Sequence, residues 1–376
     1  MDAEQNRRRE LLELCACFAQ VVRMLRLPDF ELHIAKLYQM LKMLRLIIYT
    51  LRMTIIPPPP PVPRYEEVLF EGQQQRRLPG GRDCWTEFVN DGSRFWMLTG
   101  ETPHSMITIA NDLERLLLSR RRHPRRYNKF KLTARNRMLM VFVWLRHYPR
   151  EELLAAQFGV SINVVSRDIH YIIPILWHYL ESQILWPNHQ QWTELAGNWE
   201  NFPNAVGAID GTVTEINMPL SEPQHEFYSG HAKYHCISTQ IIIDNTKRLR
   251  FVRSGFLGHC NDAQQYQLLP RIGHDEELHF PENLCLLADS IYPNQYPLLT
   301  PFRNNQVYDG LDRQDISLFN LCHRRCRITV EHAISYFKTY AVMKGPYRHE
   351  RWFLPVISNV CAALAHRRIV VNQQLR

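Results

Sequence analysis

The sequence lacks the cysteine spacing of a metal finger. It has no Cys-x-x-Cys pair, and its nine cysteines are odd in number and scattered. Cys15/Cys17 and Cys322/Cys326 are the only close pairs, and neither has the second half of a zinc site. Free thiols in a reducing compartment are expected, with a zinc site on His323 and Cys326 as the minor alternative. No secretory leader is expected either, because Met1-Asp2-Ala3-Glu4 is too polar for one and too acidic for a mitochondrial presequence. Long apolar runs are absent: Leu44 to Ile56 is short and carries Arg45 and Arg52, so no membrane span is expected. Lysine is scarce, and nearly all the positive charge is arginine, the better fork for phosphate oxygens.

What is present is an ordinary folded composition. The 376 residues are 45% hydrophobic and 22% charged, which excludes a wholly disordered, collagen-like or mucin-like chain. The formal charge of +8 hints at a polyanionic partner. Residues 1–56 carry helical spacing and read as a helix pair or a partner-binding arm. Residues 57–64 form a proline-rich linker, with a ligand for proline-binding modules as the alternative reading. Residues 65–182 form the next region. Its first part is weakly patterned, with a turn signal at Asn90-Asp91-Gly92. Five arginines between Ser119 and Arg126 read as a nuclear-import or phosphate-contacting stretch, or as a solvated loop.

Residues 133–180 read as three helices: Ala134 to His147, Arg150 to Phe158, and Ile162 to Ile173 capped by Ser161. Ala155, Gly159 and Val165 occupy helix-turn-helix offsets: a small residue for close approach, a glycine for the turn, an apolar plug for the angle. Asn163, Ser166, Arg167 and His170 then face outward on the recognition helix and are the candidates for contacts with DNA.

From residue 200 to 370 the pattern is mixed. Ala205 to Ile209 reads as a buried strand ending at Asp210-Gly211. His235 to Ile243 alternates, with Ile237, Thr239, Ile241 and Ile243 on one face, and forms a hairpin with Leu249 to Val252. Asp262 opens a helix, or caps it. Leu284 to Ala288 is another strand, ending at Asp289. A helix from Arg324 to Tyr340 buries Ile328, Ala333, Ile334 and Phe337 and presents Arg324, Arg327, Glu331, Ser335 and Lys338 as a polar stripe. Carboxylates at strand ends beside basic residues suit a metal that must meet a phosphodiester. The bland alternative is an Arg327–Glu331 surface pair worth a few tenths of a kcal/mol.

Six segments in order carry a resemblance: Gly207 to Thr212, Phe227 to His235, Val252 to Asp262, Ala288 to Tyr292, Leu299 to Pro301, and Arg327 to Glu331. Over residues 130–370 the chain resembles PIF/Harbinger transposases and the nucleases derived from them. The resemblance implies an α/β RNase H-like catalytic domain, a mixed sheet flanked by helices, preceded by an all-α helix-turn-helix region. It implies a catalytic triad of Asp210, Asp289 and Glu331, with Asp262 as a further metal ligand. Mg²⁺ or Mn²⁺, two ions, fit such hard oxygen donors. The implied chemistry is nicking at transposon ends, then attack of the freed 3′-hydroxyl on target DNA. Lys233, Arg324, Arg327 and Lys338 are the candidates for backbone contacts. A Myb/SANT-like accessory protein, a homodimer or higher oligomer, and a nuclear location are further implications. Ala288 replaces the family's usual glycine, and Leu364-Ala-His-Arg-Arg368 replaces its Leu-His-Asn motif. A silent DNA-binding protein derived from such a transposase is the competing expectation.

Overall fold

The computed structural model describes residues 81–118, 132–303, 308 and 311–374, which belong to one compact unit. The expectations for the arm at 1–56, the linker at 57–64 and the arginine stretch after Ser119 lie outside the described residues. Every described cysteine is a free thiol.

The chain opens with helices α1 (Cys84–Phe88), α2 (Gly92–Thr99) and α3 (Pro103–Leu118). The turn signal at Asn90-Asp91-Gly92 marks a turn that leads straight into a helix: the Asp91 amide donates to the Phe88 carbonyl at 3.1 Å, and the Asp91 carboxylate accepts the Arg94 amide. Asp-Gly serves a turn and an N-cap equally well.

The helix-turn-helix elements follow as α4 (Ala134–His147), α5 (Glu151–Phe158) and α6 (Ile162–Leu180). Thr133 caps α4 by accepting the Asn136 amide. From Met138 to Leu145 no residue of α4 is more than 5% exposed, so it is the hub of this region. Gly159 ends α5 at φ 65°, the left-handed conformation that glycine adopts without penalty. Ala155 and Val165 are buried where the two helices meet. Two details differ from expectation. Ser161 occupies the N-cap position of α6, but its side chain makes no capping bond. The helix also runs past Ile173, through Pro174, to Leu180. Ile172, Ile173, Leu176 and Leu180 are fully buried, and that packing offsets a proline cost of about 3 kcal/mol. Arg137 of α4 and Asp168 of α6 form a buried two-pronged ion pair, both bonds 2.9 Å, which fixes the register between these helices.

After the short α7 (His189–Thr193) the sheet begins. Its strands are β1 (Ala205–Glu215), β2 (Tyr228–Ser229), β3 (Tyr234–Asp244), β4 (Leu249–Leu257), β7 (Cys285–Leu287) and β8 (Leu298–Leu299). Helix α8 (Gln224–Phe227) precedes β2, and α9 (Asp262–Gln267) follows β4. A separate small pair is formed by β5 (Ile272–Gly273) and β6 (Leu278–His279). The main sheet runs β4-β3-β1-β7-β8, with β2 pairing the start of β3. The β4-β3-β1 part is antiparallel, whereas β7 and β8 run parallel to β1. β1 is one eleven-residue strand, so Asp210 lies mid-strand and not at a strand end. β3 is buried on both faces, Gln240 to Ile243 all at 0% exposure, which overrides the alternation expected there. Trp192, Val206, Ile242, Phe280 and Leu286 share one core cluster.

Two long helices complete the unit, α10 (Arg313–Phe337) and α11 (Leu354–Gln374). Helix α10 packs on β1 and β3, and α11 on β4. α10 begins at Arg313 under an Asp312 cap, well before the expected Arg324. Val330, Ala333 and Phe337 are buried, but Ile328 is 43% exposed, contrary to its expected core position. The segment containing α11 is long and apolar enough to cross a membrane, yet 67% of its apolar window is buried inside the protein, as in a core helix.

Candidate active site

The register of β1 and β7 makes the first placement. Ala208 pairs with Leu287 across parallel strands. Two residues onward come Asp210, still on β1, and Asp289, just past the end of β7, so the two acids emerge at neighbouring strands of the sheet. Helix α10 then supplies Arg327 and Glu331. The Arg327 guanidinium donates to Asp210 Oδ2 at 3.0 Å and to Glu331 Oε1 at 3.1 Å. The i, i+4 pair expected as a bland alternative therefore exists, but it also reaches the sheet acid.

Asp262 arrives by a different route. It is not the cap of α9: Asn261 accepts the Gln264 amide and Gln264 returns the bond. The Asp262 side chain instead lodges against β1, and a Cβ on Gly211 would lie 2.1 Å from its Oδ1. Successive side chains alternate along a strand. Asp262 thus approaches β1 from the face opposite the Asp210 side chain. Gln240, opposite Gly211 on β3, donates to Asp262 Oδ1 at 2.9 Å, and Tyr292 donates to Gln240 Oε1 at 2.6 Å. Since the Asp262 carboxylate can only accept, the Gln240 amide nitrogen is turned to it and the amide oxygen to the Tyr292 hydroxyl.

The electrostatics tie these groups together. Burial raises the Asp210 carboxyl to about 6; Arg327 and the Gly211 amide pull it down, and Asp262 and Asp289 push it up again. Burial also raises Asp262, opposed by the Gln240 bond and reinforced by Asp289. Tyr292 is pushed far up by burial and then by Asp262 and Asp210. Three carboxylates thus feel one another in a partly desolvated site with Arg327 as the cation in contact with Asp210. Asp289 accepts from the Ser290 amide and hydroxyl. The donor set is all hard oxygen and fits Mg²⁺ or Mn²⁺. The four acids do not form a group whose ligand atoms lie within 4.8 Å of one another; among the described residues only His170, His349 and Glu350 do so.

Beside Asp289 opens a groove of about 1150 Å³. Arg303, Arg313 and Arg324 line it with the rings of Phe302 and Tyr308, and Arg327 stands at its inner end next to the acids.

Two comparisons bear on this site. Residues 209–366 match the family described as DDE superfamily endonuclease, and residues 130–181 match the helix-turn-helix of DDE superfamily endonuclease. Both matched regions are thus similar to DDE superfamily endonucleases. The first match spans all four acids. Over 246 residues the chain is 25% identical to "Protein ALP1-like" of Arabidopsis thaliana, covering 59% of this chain and 57% of that protein. Over 251 residues it is 23% identical to "Probable transposase for insertion sequence element IS702" of Microchaete diplosiphon, covering 64% and 83%. The chain therefore aligns with little more than half the length of the first relative. No solved structure matches.

The DNA-contact candidates of the chain divide. Asn163 and Arg167 are exposed on α6 and Ser166 is half-buried beside them; with Tyr171 they line a shallow concavity. His170 borders it, but its ring stacks on Phe353 at 4.8 Å and its Nε2 lies 3.2 Å from Glu350, so its polar edge is turned to the nuclease part and not to bases. Lys233 is exposed at φ 66°, and Arg324 is exposed in the groove. Arg327 is held by acids, not presented to a backbone. Lys338 is excluded from DNA contact: its ammonium donates to the carbonyls of Val213 and Met343, and burial pulls it down to about 8. The turn at Ala341–Met343 folds back over it, which helical spacing alone did not foretell. The zinc alternative finds no support, because His323 and Cys326 do not belong to a cluster of three or more ligand atoms among the described residues. Gln240 and Tyr292 were missed. A lone amide inside the apolar run of β3 was the available signal.

Proposed function

We propose that this protein is a DDE superfamily endonuclease, a metal-dependent DNA nuclease and transposase of the PIF/Harbinger type. On this reading the region from Ala205 onward is an RNase H-like domain. The strand order β4-β3-β1-β7-β8, antiparallel then parallel, supports it. The observation that carries the reading is the strand register that brings Asp210 on β1 beside Asp289 just past β7, with Glu331 joined to Asp210 through Arg327. Asp210, Asp289 and Glu331 would hold the catalytic ions, and Asp262 would contribute from the other side of β1. Bound there, divalent ions supply positive charge against the phosphate oxygens and lower the pKa of a water or 3′-hydroxyl. Arg327 keeps Asp210 and Glu331 oriented and partly neutralised in their absence. Gln240, oriented by Tyr292, fixes the Asp262 carboxylate. The groove beside Asp289 suits a DNA strand, with arginines for phosphates and Phe302 and Tyr308 for stacking. Asn163, Ser166 and Arg167 would read the duplex, and Lys233 and Arg324 would touch its backbone. The full cycle would cut transposon ends and join the 3′-hydroxyl to target DNA. It would run in the nucleus, in a homodimer or higher oligomer, with a Myb/SANT-like accessory protein.

Asp289→Asn tests the reading. Mg²⁺-dependent nicking of supercoiled DNA should fall at least about 10³-fold, since one ion ligand is lost, while DNA affinity stays the same. Retained nicking would overturn the assignment. The second reading, a silent DNA-binding derivative, is favoured by one observation: Arg327 already occupies the charge-compensating position between Asp210 and Glu331. Absence of Mn²⁺ binding at these acids in a DNA complex would decide for it.

A further inference from the structure

We propose that His170, His349 and Glu350 form a binding site for a transition-metal dication of the zinc type, separate from the carboxylate site, that fastens the helix-turn-helix to the nuclease part of the chain. One ligand atom from each of the three residues lies within 4.8 Å of both others. His170 Nε2 stands 3.2 Å from Glu350 Oε2. Two ligands bound tetrahedrally to zinc at its usual bond lengths stand about 3.4 Å apart, so this pair is already at coordination distance.

The tautomer of His170 sharpens the point. Its Nδ1 lies 2.8 Å from the Ser166 carbonyl oxygen, which can only accept. Nδ1 therefore carries the proton, and the Nε2 lone pair faces a carboxylate oxygen. Two lone pairs so close need a positive charge between them, a proton or a metal ion. His349 favours the metal: a second imidazole converges on the same point, where a shared proton would have no use for it. Two imidazoles and a carboxylate are a zinc ligand set, unlike the all-oxygen set around Asp210. The His349 ring is held edge-on to Trp144 at 5.1 Å and against Tyr148 at 5.9 Å, so it is preorganised. Glu151 Oε1, 3.8 Å from His349 Nδ1, stands outside the three-ligand cluster, so the fourth position is left to solvent. The neighbouring cation, Arg348, is engaged by the Tyr148 and Pro149 carbonyls and lies 4.2 Å over the Tyr148 ring. Glu350 is exposed, which leaves an entry path.

The placement gives the site its consequence. His170 lies on α6 of the helix-turn-helix, whereas His349 and Glu350 belong to the segment between Met343 and α11. A bound ion would cross-link residues about 180 positions apart in sequence and hold the recognition helix at a fixed angle to the acids.

The test uses the full chain stripped with a chelator and titrated with Zn²⁺ alone in excess Mg²⁺, which fills oxygen sites. Isothermal titration should show one tight equivalent, and Zn²⁺ should raise the melting temperature. Co²⁺ in its place should give the visible bands of a four-coordinate site. His349→Ala and the exposed Glu350→Gln should each weaken Zn²⁺ at least about tenfold, with unchanged circular dichroism. His189→Ala, which breaks the His189–His279 surface pair at 3.0 Å, should leave binding intact. Zn²⁺ binding that is absent in the wild type, unchanged in Glu350→Gln, or lost in His189→Ala would overturn the proposal. The first outcome would leave a protonated His170–Glu350 ion pair in its place.

Discussion

Asp210 offers a prediction that needs no DNA substrate. Its carboxyl is raised from 3.8 to about 6, chiefly by burial, even with Arg327 at 3.0 Å. The folded state therefore holds the proton more tightly than the unfolded state. The stability this contributes is fully present below the unfolded value and is lost as pH rises through about 6. A shift of roughly two units corresponds to ~3 kcal/mol, and the side chain is only 18% exposed, so solvent screening removes little of it. In Asp210→Asn the amide cannot titrate and this pH dependence disappears. The assay is urea unfolding of both proteins in chelator across about pH 4 to pH 8, taking the difference between the two curves so that other titrating groups cancel. The wild type should lose ~3 kcal/mol relative to the variant over that range, or about 6–12 °C in melting temperature for a domain of this size. Added Mn²⁺ should return the loss to the wild type alone, because a bound cation replaces the proton. Parallel curves would refute the reasoning, since they would mean that Asp210 is not in a desolvated, mutually repelling set.

Further outcomes follow from single contacts. Gly211→Ala places a Cβ 2.1 Å from Asp262 Oδ1, the end of a movable side chain, so a Mn²⁺ titration should weaken at least about tenfold (~1.4 kcal/mol) while the fold survives. Gly207→Ala places its Cβ 2.1 Å from the Ile243 carbonyl, which the β1–β3 ladder fixes, and should cost more than about 3 kcal/mol in unfolding. Lys338→Met should leave DNA affinity and its salt dependence unchanged, whereas Arg324→Ala should lower the salt slope by about one phosphate in a binding isotherm. Arg167→Ala should weaken binding to all duplexes alike if it meets phosphate, and Asn163→Ala should relax sequence preference if it meets a base edge.

Much of this was legible in the sequence where the determinants are local. Gly159 announces a left-handed turn, Ala155 and Val165 sit at fixed offsets from it, and a buried strand followed by an acid marks Asp289. What the sequence hid depends on distant partners. β1 reads as ending at Asp210 because aspartate and glycine are poor strand residues, yet nine residues of β3 pair with it and carry it on to Glu215. Helical spacing puts Lys338 on the stripe with Arg324, but the turn at Ala341–Met343 buries it. The same spacing turns His170 outward, and only the fold brings Phe353 and Glu350 against it. Ile328 reads as core by apolarity, although the sheet takes Val330, Ala333 and Phe337 instead.

The carboxylate set is an energetic disadvantage that a purely structural site could avoid. The Gly211 amide donates to one Asp210 oxygen and the Arg327 guanidinium to the other; an asparagine at 210 would keep only one of these acceptors but would escape the repulsion from Asp262 and Asp289. Gln240 and Tyr292 do not relieve that repulsion; they hold Asp262 in it, at a position that a side chain on residue 211 would deny. Arg327 neutralises at most one charge among four acids. An arrangement that gathers more negative charge than it compensates, and fixes it with buried hydrogen bonds, is most economically explained by a dication that completes it. On that argument Arg327 must share Asp210 and Glu331 with the ion. Loss of the 3.0 Å and 3.1 Å contacts on Mn²⁺ binding is the structural change to look for.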